Sequence, residues 1–186
     1  CQVLALRAAR NIGIRVPRSV VDKAARYVVA SAVSEESLAQ GYPGPVSFKN
    51  EIGSFHYQMQ DGSRSSFPLT AAGVTALHGA GIYSDEAIDH GISYLRRNLN
   101  SFNRQFGGDK SHYFFWYGHY YGVQAMYTAG ADAWEQYFTI VRDEILAMQE
   151  PSGAFPNRTG PGPAFGTAMA VLVLEIPYRF LPIFQR

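Results

Sequence analysis

Apolar and polar residues follow a helical period along most of this chain, and they do so in two distinct ways. In the first, apolar side chains fall on one stripe: Ile88, Ile92, Leu95 and Leu99 stand at i, i+4, i+7 and i+11, and Trp134, Phe138, Val141, Ile145 and Met148 repeat the pattern. This spacing predicts amphipathic helices over about 84–99 and 132–149. Ser84 can cap the earlier of the two, with Asp85 and Glu86 in its first turn and Arg96 and Arg97 in its last, in agreement with the helix dipole. Pro17 can open a further helix over about 17–32. In the second, charge is almost absent and the stripe consists of small residues: Gly118, Gly122, Ala125 and Ala129, and likewise Gly73, Ala76 and Ala80. Glycine costs about 1 kcal/mol in a helix interior, so its recurrence at matched positions predicts that neighbouring backbones come close there. Helices this poor in charge are expected to be buried on most faces.

The two kinds of segment alternate because the sequence repeats. Gly73-Val74-Thr75-Ala76-Leu77-His78-Gly79-Ala80-Gly81 aligns with Gly122-Val123-Gln124-Ala125-Met126-Tyr127-Thr128-Ala129-Gly130, 49 residues later. Val3-Leu4-Ala5-Leu6 resembles the same core at the front, and Gly166-Thr167-Ala168-Met169 at the back with some slippage of register. Among the amphipathic segments, Lys23-Ala24-Ala25-Arg26-Tyr27-Val28 matches His90-Gly91-Ile92-Ser93-Tyr94-Leu95, 67 residues later. A repeat of this size is the mark of stacked supersecondary units. The expected fold is all-α: tandem αα-hairpins with inner helices rich in Gly and Ala and outer amphipathic ones. About three and a half hairpins make a single domain over 1–186, with 33–67 as a long loop insertion.

Composition narrows the function classes. The chain has 186 residues, of which 47% are hydrophobic, 14% aromatic and 17% charged, a balance that excludes intrinsic disorder. Sixteen basic against fifteen acidic side chains leave a formal +1, which gives no electrostatic footprint for nucleic acid or an anionic membrane. Cys1 is the one cysteine, so an internal disulfide framework and a multi-thiolate zinc site are both excluded. The longest apolar run, Ala168 to Leu174, falls far short of the ~20 residues of a transmembrane helix. The chain opens inside an apolar segment, without the basic and small-residue pattern of a signal peptide. It therefore reads as part of something longer, lacking an N-terminal half, or as a half that associates with another copy, and the compartment is left open.

The outer-helix pattern resembles the QW repeat of squalene–hopene and oxidosqualene cyclases: a basic residue, a small residue, an aromatic–aliphatic pair, then Gln, Gly and Trp. Lys23-Ala24-x-x-Tyr27-Val28 and His90-Gly91-x-x-Tyr94-Leu95 are similar to its first half. Gln149-Glu150-Pro151-Ser152-Gly153-Ala154-Phe155 is similar to its second half with Phe155 in place of Trp, and Gly53-Ser54-Phe55 is a further Gly-x-aromatic fragment. The ending around Pro177 to Arg186 looks like that of bacterial prenyltransferase/squalene oxidase repeat proteins. The resemblance implies an α/α toroid, or part of one, whose inner helices surround an apolar cavity suited to isoprenoid chains.

It also says where catalytic residues should stand. The cyclases' acidic motif ends in Thr-Ala, which here is Thr70-Ala71, preceded by Ser66-Phe67-Pro68-Leu69 without a carboxylate. The prenyltransferases' zinc-ligating histidine precedes a Thr that corresponds to Thr167, and Phe165-Gly166 stand there instead. Asp109, His112 and His119 offer metal ligands by type, but two histidines seven residues apart on one helix are about 10 Å apart by rise, and hydrogen-bonded histidines are the expectation, with no metal and no cofactor. The thioester motif of related complement domains is not matched at Cys1-Gln2-Val3-Leu4. A glycan-active (α/α) barrel would need paired carboxylates on the inner helices, and the apolar segments hold none.

What remains is aromatic. From His112 to Tyr121, nine of ten residues are aromatic or histidine, Gly118 being the exception. Such a run is either core packing or the wall of an apolar cavity with hydroxyls at its rim. The cavity candidates are His112, Tyr113, Trp116, Tyr117, His119, Tyr120 and Phe165. The expected function is binding of an apolar, isoprenoid-like small molecule or a protein partner by a repeat module without the usual catalytic acids. The alternative is an isoprenoid-processing enzyme, prenyltransferase or cyclase, with catalytic residues partly outside this chain. Asn157-Arg158-Thr159 matches a glycosylation sequon by pattern.

Overall fold

The computed structural model describes residues 1–39, 50–59, 63–108 and 111–180, and these residues are mostly helical. In order they form α1 (Gln2–Asn11), α2 (Arg18–Ala30), α3 (Glu35–Ala39), β1 (Phe55–His56), β2 (Ser65–Ser66), α4 (Phe67–Gly79), α5 (Glu86–Phe106), α6 (Tyr113–Ala129), α7 (Ala131–Ala147), α8 (Pro163–Leu174) and a 3-10 turn over Ile176–Tyr178. The all-α expectation holds, and the repeated segments around Gly73 and Gly122 are both helical. The chain divides into two compact units, Cys1–Leu95 and Arg96–Arg186, with the division falling inside α5.

In the first unit α4 is the buried element. It has no charged side chain, and Phe67, Thr70, Ala71, Val74, Thr75, Leu77 and His78 are all buried. α1 and α2 pack on it, and so does the short antiparallel ribbon β1–β2, which pairs Phe55 with Ser66. Thus the 33–67 segment contains a helix and a ribbon within its described residues. Its Gly41–Pro45 run and Asp61-Gly62 lie outside them, as does the tail from Leu181. α5 begins at Glu86 and its cap is Asp85, whose Oδ1 accepts from Ala87 N at 2.9 Å, rather than Ser84. The helix runs on to Phe106, so Arg96 and Arg97 lie mid-helix and the basic residue of the last turn is Arg104. In the second unit α6 is the buried element, packed against α7 and α8.

The Gly-x-Phe fragments turn out to be structurally equivalent. Gly53 and Gly153 have φ of +87° and +85°, left-handed conformations that glycine adopts without strain. Each turn delivers a buried phenylalanine whose backbone N–H meets a threonine on the next apolar helix. Phe55 N donates to Thr70 Oγ1 at 3.1 Å, and Phe155 N donates to Thr167 Oγ1 at 3.0 Å. Thr70 passes the bond on, its hydroxyl donating to Ser66 O at 2.9 Å. These bonds register α8 on α4 with Thr167 at the place of Thr70, about one turn away from the alignment that the similarity of Gly166-Thr167-Ala168 to Gly73-Val74-Thr75 suggests.

The small-residue stripes admit side chains, and in this the structure corrects the expectation of touching backbones. A methyl group at Gly73 would stand 2.4 Å from the Phe55 ring, and one at Gly122 would stand 2.1 Å from the Tyr137 hydroxyl. Close backbone approach occurs instead at Gly53, where a methyl would lie 2.2 Å from the carbonyl oxygen of His90, and at Gly166, 2.9 Å from that of Phe155. If the two Phe–Thr pins are equivalent, Thr70→Val and Thr167→Val should each destabilise the protein by about 1–3 kcal/mol, the cost of a buried amide left without its acceptor. Urea unfolding of the two variants checks this, and a silent substitution at either site would break the equivalence.

Candidate functional site

The aromatic run becomes α6 because His112 starts it. The residue is extended, φ −96° and ψ 150°, and its Nδ1 accepts from Phe114 N at 3.1 Å, which satisfies one of the exposed N–H groups of the first turn. Its ring stands 4.5 Å from that of Tyr113 and 5.7 Å from that of Phe106, centre to centre. Beyond this cap the helix carries no charge, and its aromatic residues separate onto two faces.

One face is fully enclosed. Trp116 and His119 are both 0% exposed, beside Phe115, Val123 and Met126. The Trp116 indole N–H donates to Pro156 O at 3.1 Å. His119 joins three helices: its Nε2 lies 2.9 Å from Asn103 Oδ1 on α5, and its Nδ1 lies 3.0 Å from the Tyr137 hydroxyl on α7. Because Asn103 Oδ1 can only accept, the network assigns the proton to Nε2 and makes Nδ1 the acceptor of the tyrosine O–H. Burial without a compensating charge lowers the His119 pKa to about 3 and raises that of Tyr137. This is a neutral, hydrogen-bonded core triad. The glycine at 122 makes it possible by leaving room for the Tyr137 hydroxyl.

The other face is partly open. Tyr113, Tyr117 and Tyr120 are half-buried and Tyr121 is buried beside them. The rings of Tyr117 and Tyr120 stand 4.8 and 5.0 Å from that of Tyr121, both edge-on. The Tyr121 hydroxyl donates to that of Tyr117, and burial raises the pKa of both, so neither ionises near neutrality. Gln124 closes the stripe, its side chain donating to Tyr120 O at 2.7 Å. The seven cavity candidates therefore do not form one wall. Trp116 and His119 belong to the core, Tyr117 and Tyr120 form a cluster with Tyr121, and His112 and Tyr113 sit at the helix start. Phe165 is half-buried in the first turn of α8.

The positions where the resemblance would place chemistry are occupied by structural bonds. Thr70 and Thr167 hold the two phenylalanine turns. Of the metal-ligand candidates, Asp109 lies outside the described residues, His112 caps α6, and His119 is committed to Asn103 and Tyr137. Among the described residues, no three His, Cys, Asp or Glu side chains stand close enough to hold a metal ion. A cleft of about 530 Å³ between α2, α3 and the start of α5 carries Glu36, Asp85 and Glu86, but Asp85 is the cap of α5 and Glu86 stands 3.7 Å from His90. The sequon asparagine, Asn157, is 3% exposed and donates to Gly162 O at 3.1 Å, which closes it to glycosylation in the folded state. Cys1 is exposed at the N-cap of α1, and among the described residues no helix is long and apolar enough to cross a membrane. Comparison with models of protein families, with curated proteins and with solved structures returns no match.

Sequence reasoning missed Asn103 and Tyr137. Tyr137 lies on the apolar stripe of α7 between Trp134 and Val141, so a hydroxyl there already signalled a buried partner. Asn103 lies beyond the expected end of α5 and had no such signal. The triad predicts acid sensitivity of a definite sign. Unfolded histidine titrates near 6.5, and the folded state resists protonation down to about 3. His119 therefore contributes stability above pH ~6.5 that is lost as pH falls through that window, by at most about 1.4 kcal/mol per pH unit. His119→Gln should show a shallower acid slope by one proton in urea unfolding between pH 6 and 4. A separate expectation concerns the gap over Tyr137: Gly122→Ala should destabilise by about 1–3 kcal/mol through overpacking, and Tyr137→Phe should recover part of that loss in the double variant.

Proposed function

We propose that this chain is a module of tandem αα-hairpins, arranged in the manner of the α/α toroid, that binds an apolar isoprenoid-like ligand on the open aromatic face of α6. The observation that carries this reading is the tyrosine cluster: the half-buried rings of Tyr117 and Tyr120 both pack edge-on against that of Tyr121, on a helix with no charged side chain between Tyr113 and Ala129. A surface of this kind gains about 25 cal/mol for each Å² of apolar area it covers. Burial keeps the Tyr117 and Tyr121 hydroxyls neutral, so they can orient a ligand without requiring it to be charged. Support for binding over catalysis comes from Thr70, Thr167 and His119, whose side chains are already occupied in holding the fold.

The test is a titration of the full chain with farnesol and with farnesyl diphosphate, followed by tryptophan fluorescence. Saturable binding is expected. Tyr120→Ala should weaken it roughly tenfold, the loss of about 1.5 kcal/mol of ring contact, with the melting temperature close to that of the parent. Absence of binding by both compounds, or binding indifferent to Tyr120→Ala, would remove the proposal. Turnover of the diphosphate would instead favour an isoprenoid-processing enzyme.

A further inference from the structure

The formal +1 of the whole chain hides an uneven distribution of charge. Of the sixteen basic and fifteen acidic side chains, residues 1–30 hold six basic ones, Arg7, Arg10, Arg15, Arg18, Lys23 and Arg26, against the single acid Asp22. The remainder of the chain is therefore net acidic. All six basic residues except Arg7, which is half-buried, are exposed. Segregation of this kind is the sequence mark of a segment that meets an anionic surface.

These residues lie on α1, α2 and the connection between them, 12–17, and the two helices pack on each other and on α4. The connection is ordered by its own backbone. Gly13, at φ +85°, ends α1: its N–H donates to Arg10 O at 3.0 Å and that of Ile14 donates to Ala9 O at 2.9 Å, the paired bonds of a Schellman turn. Pro17 opens α2, and its carbonyl accepts from Val20 N at 3.1 Å. Such turns commonly fold an apolar side chain back onto their helix. Here both isoleucines stay outside, Ile12 at 77% exposure and Ile14 at 56%. Arg10, Arg15 and Arg18 stand within four positions of one or the other, and no acid lies within six positions of Arg10 or Arg15. The opposite end of α2, about 20 Å away by rise, borders the cleft that carries Glu36, Asp85 and Glu86. The first unit is thus basic and aliphatic at the hairpin tip and acidic beyond the far end of α2.

We propose that the α1–α2 tip is an interfacial docking site for an anionic lipid bilayer, with Ile12 and Ile14 entering the acyl boundary and Arg10, Arg15 and Arg18 meeting the lipid phosphates. Charge and chemistry together select this occupant. A second copy of the tip would bring arginine against arginine. A nucleic acid would satisfy the arginines but leave the two isoleucines in water, whereas a bilayer interface accepts both kinds of side chain in adjacent layers. The ordered turn means that the isoleucines are presented without a further loss of backbone freedom. The acidic end of α2 is repelled by the same surface, which sets the orientation of the approach. The inference does not depend on the ligand reading of α6.

The test is co-sedimentation of the full chain with vesicles of phosphatidylcholine alone and of phosphatidylcholine containing phosphatidylglycerol. Binding is expected only to the anionic vesicles and should fall as salt is raised. The double variant Arg10→Gln/Arg15→Gln should weaken it about thirtyfold, at roughly fivefold for each basic residue near the surface. Ile12→Ser/Ile14→Ser leaves the charge unchanged and should still weaken binding at least about tenfold. All four positions lie outside the core, so melting temperatures should stay at the parental value. Ile12→Trp should give a blue-shifted emission on anionic vesicles. Equal binding to both kinds of vesicle, full binding by the isoleucine variant, or displacement by free glycerol phosphate would overturn the proposal. Retention on duplex DNA or polyglutamate that matches retention on vesicles and ignores the isoleucine variant would assign the patch to an acidic macromolecule, and would overturn it as well.

Discussion

Three helices of this protein, α4, α6 and α8, carry no charged side chain, and water is a poor place for any of them. That constraint organises what surrounds them. α4 is covered by α1, α2, the Phe55 turn and, at Val74, by α5. α6 has α7 on one flank and α8 on another. The covering helices take the charge instead: Arg96 on α5 donates to Gln136 on α7 at 2.7 Å at the surface, and Arg142 pairs with Asp143. Such exposed pairs add little stability. Their service is to keep the outer helices soluble while their inner stripes, Leu95 and Leu99 on α5 and Val141 and Ile145 on α7, are fully or almost fully buried.

Burial of apolar surface has no direction, so it cannot decide how far one helix slides along another. Polar groups buried at a few points do. The Phe55–Thr70 and Phe155–Thr167 bonds fix where each aromatic turn meets its helix. Trp116 and Ser111 both donate to the single carbonyl of Pro156, and His119 ties α5, α6 and α7 at one level. Each of these groups would cost about 1–3 kcal/mol if buried without its partner, so a shifted register is penalised at several places together. The same commitment limits chemistry. A histidine that is enclosed, neutral and bonded at both nitrogens is a poor proton carrier, and the Thr70 hydroxyl already accepts from Phe55 N and donates to Ser66 O.

Helix type and order were legible from the sequence because the period of apolar residues persists over many turns, as at Ile88, Ile92, Leu95 and Leu99. Helix ends were less so. Ser84 and Asp85 are both good caps by composition, and only the geometry of the turn selects Asp85. The glycine stripes were read correctly as places of close approach, yet the approaching group was misjudged, since nothing at Gly122 names a tyrosine fifteen residues downstream as its neighbour. The aromatic run was ambiguous for a related reason. Between His112 and Tyr121 the helix turns through about two and a half circles, so a continuous run of rings has to face both core and surface, and the sequence alone assigns no ring to either. The hydrogen-bonding residues that settle it, Asn103 and Tyr137, come from neighbouring helices.

The two open surfaces of the second unit differ in what they can hold. The tyrosine face of α6 combines ring area with hydroxyls that can still meet a polar head, which suits a small ligand that must be oriented. The α8 groove is lined by methyl and methylene groups, and its one hydroxyl, that of Thr167, is already an acceptor. A small flexible ligand there would gain area but no orientation, at the cost of its own conformational freedom. Shape and hydrogen-bonding capacity therefore separate the two faces: rings that carry hydroxyls on α6, and methyl and methylene groups on α8.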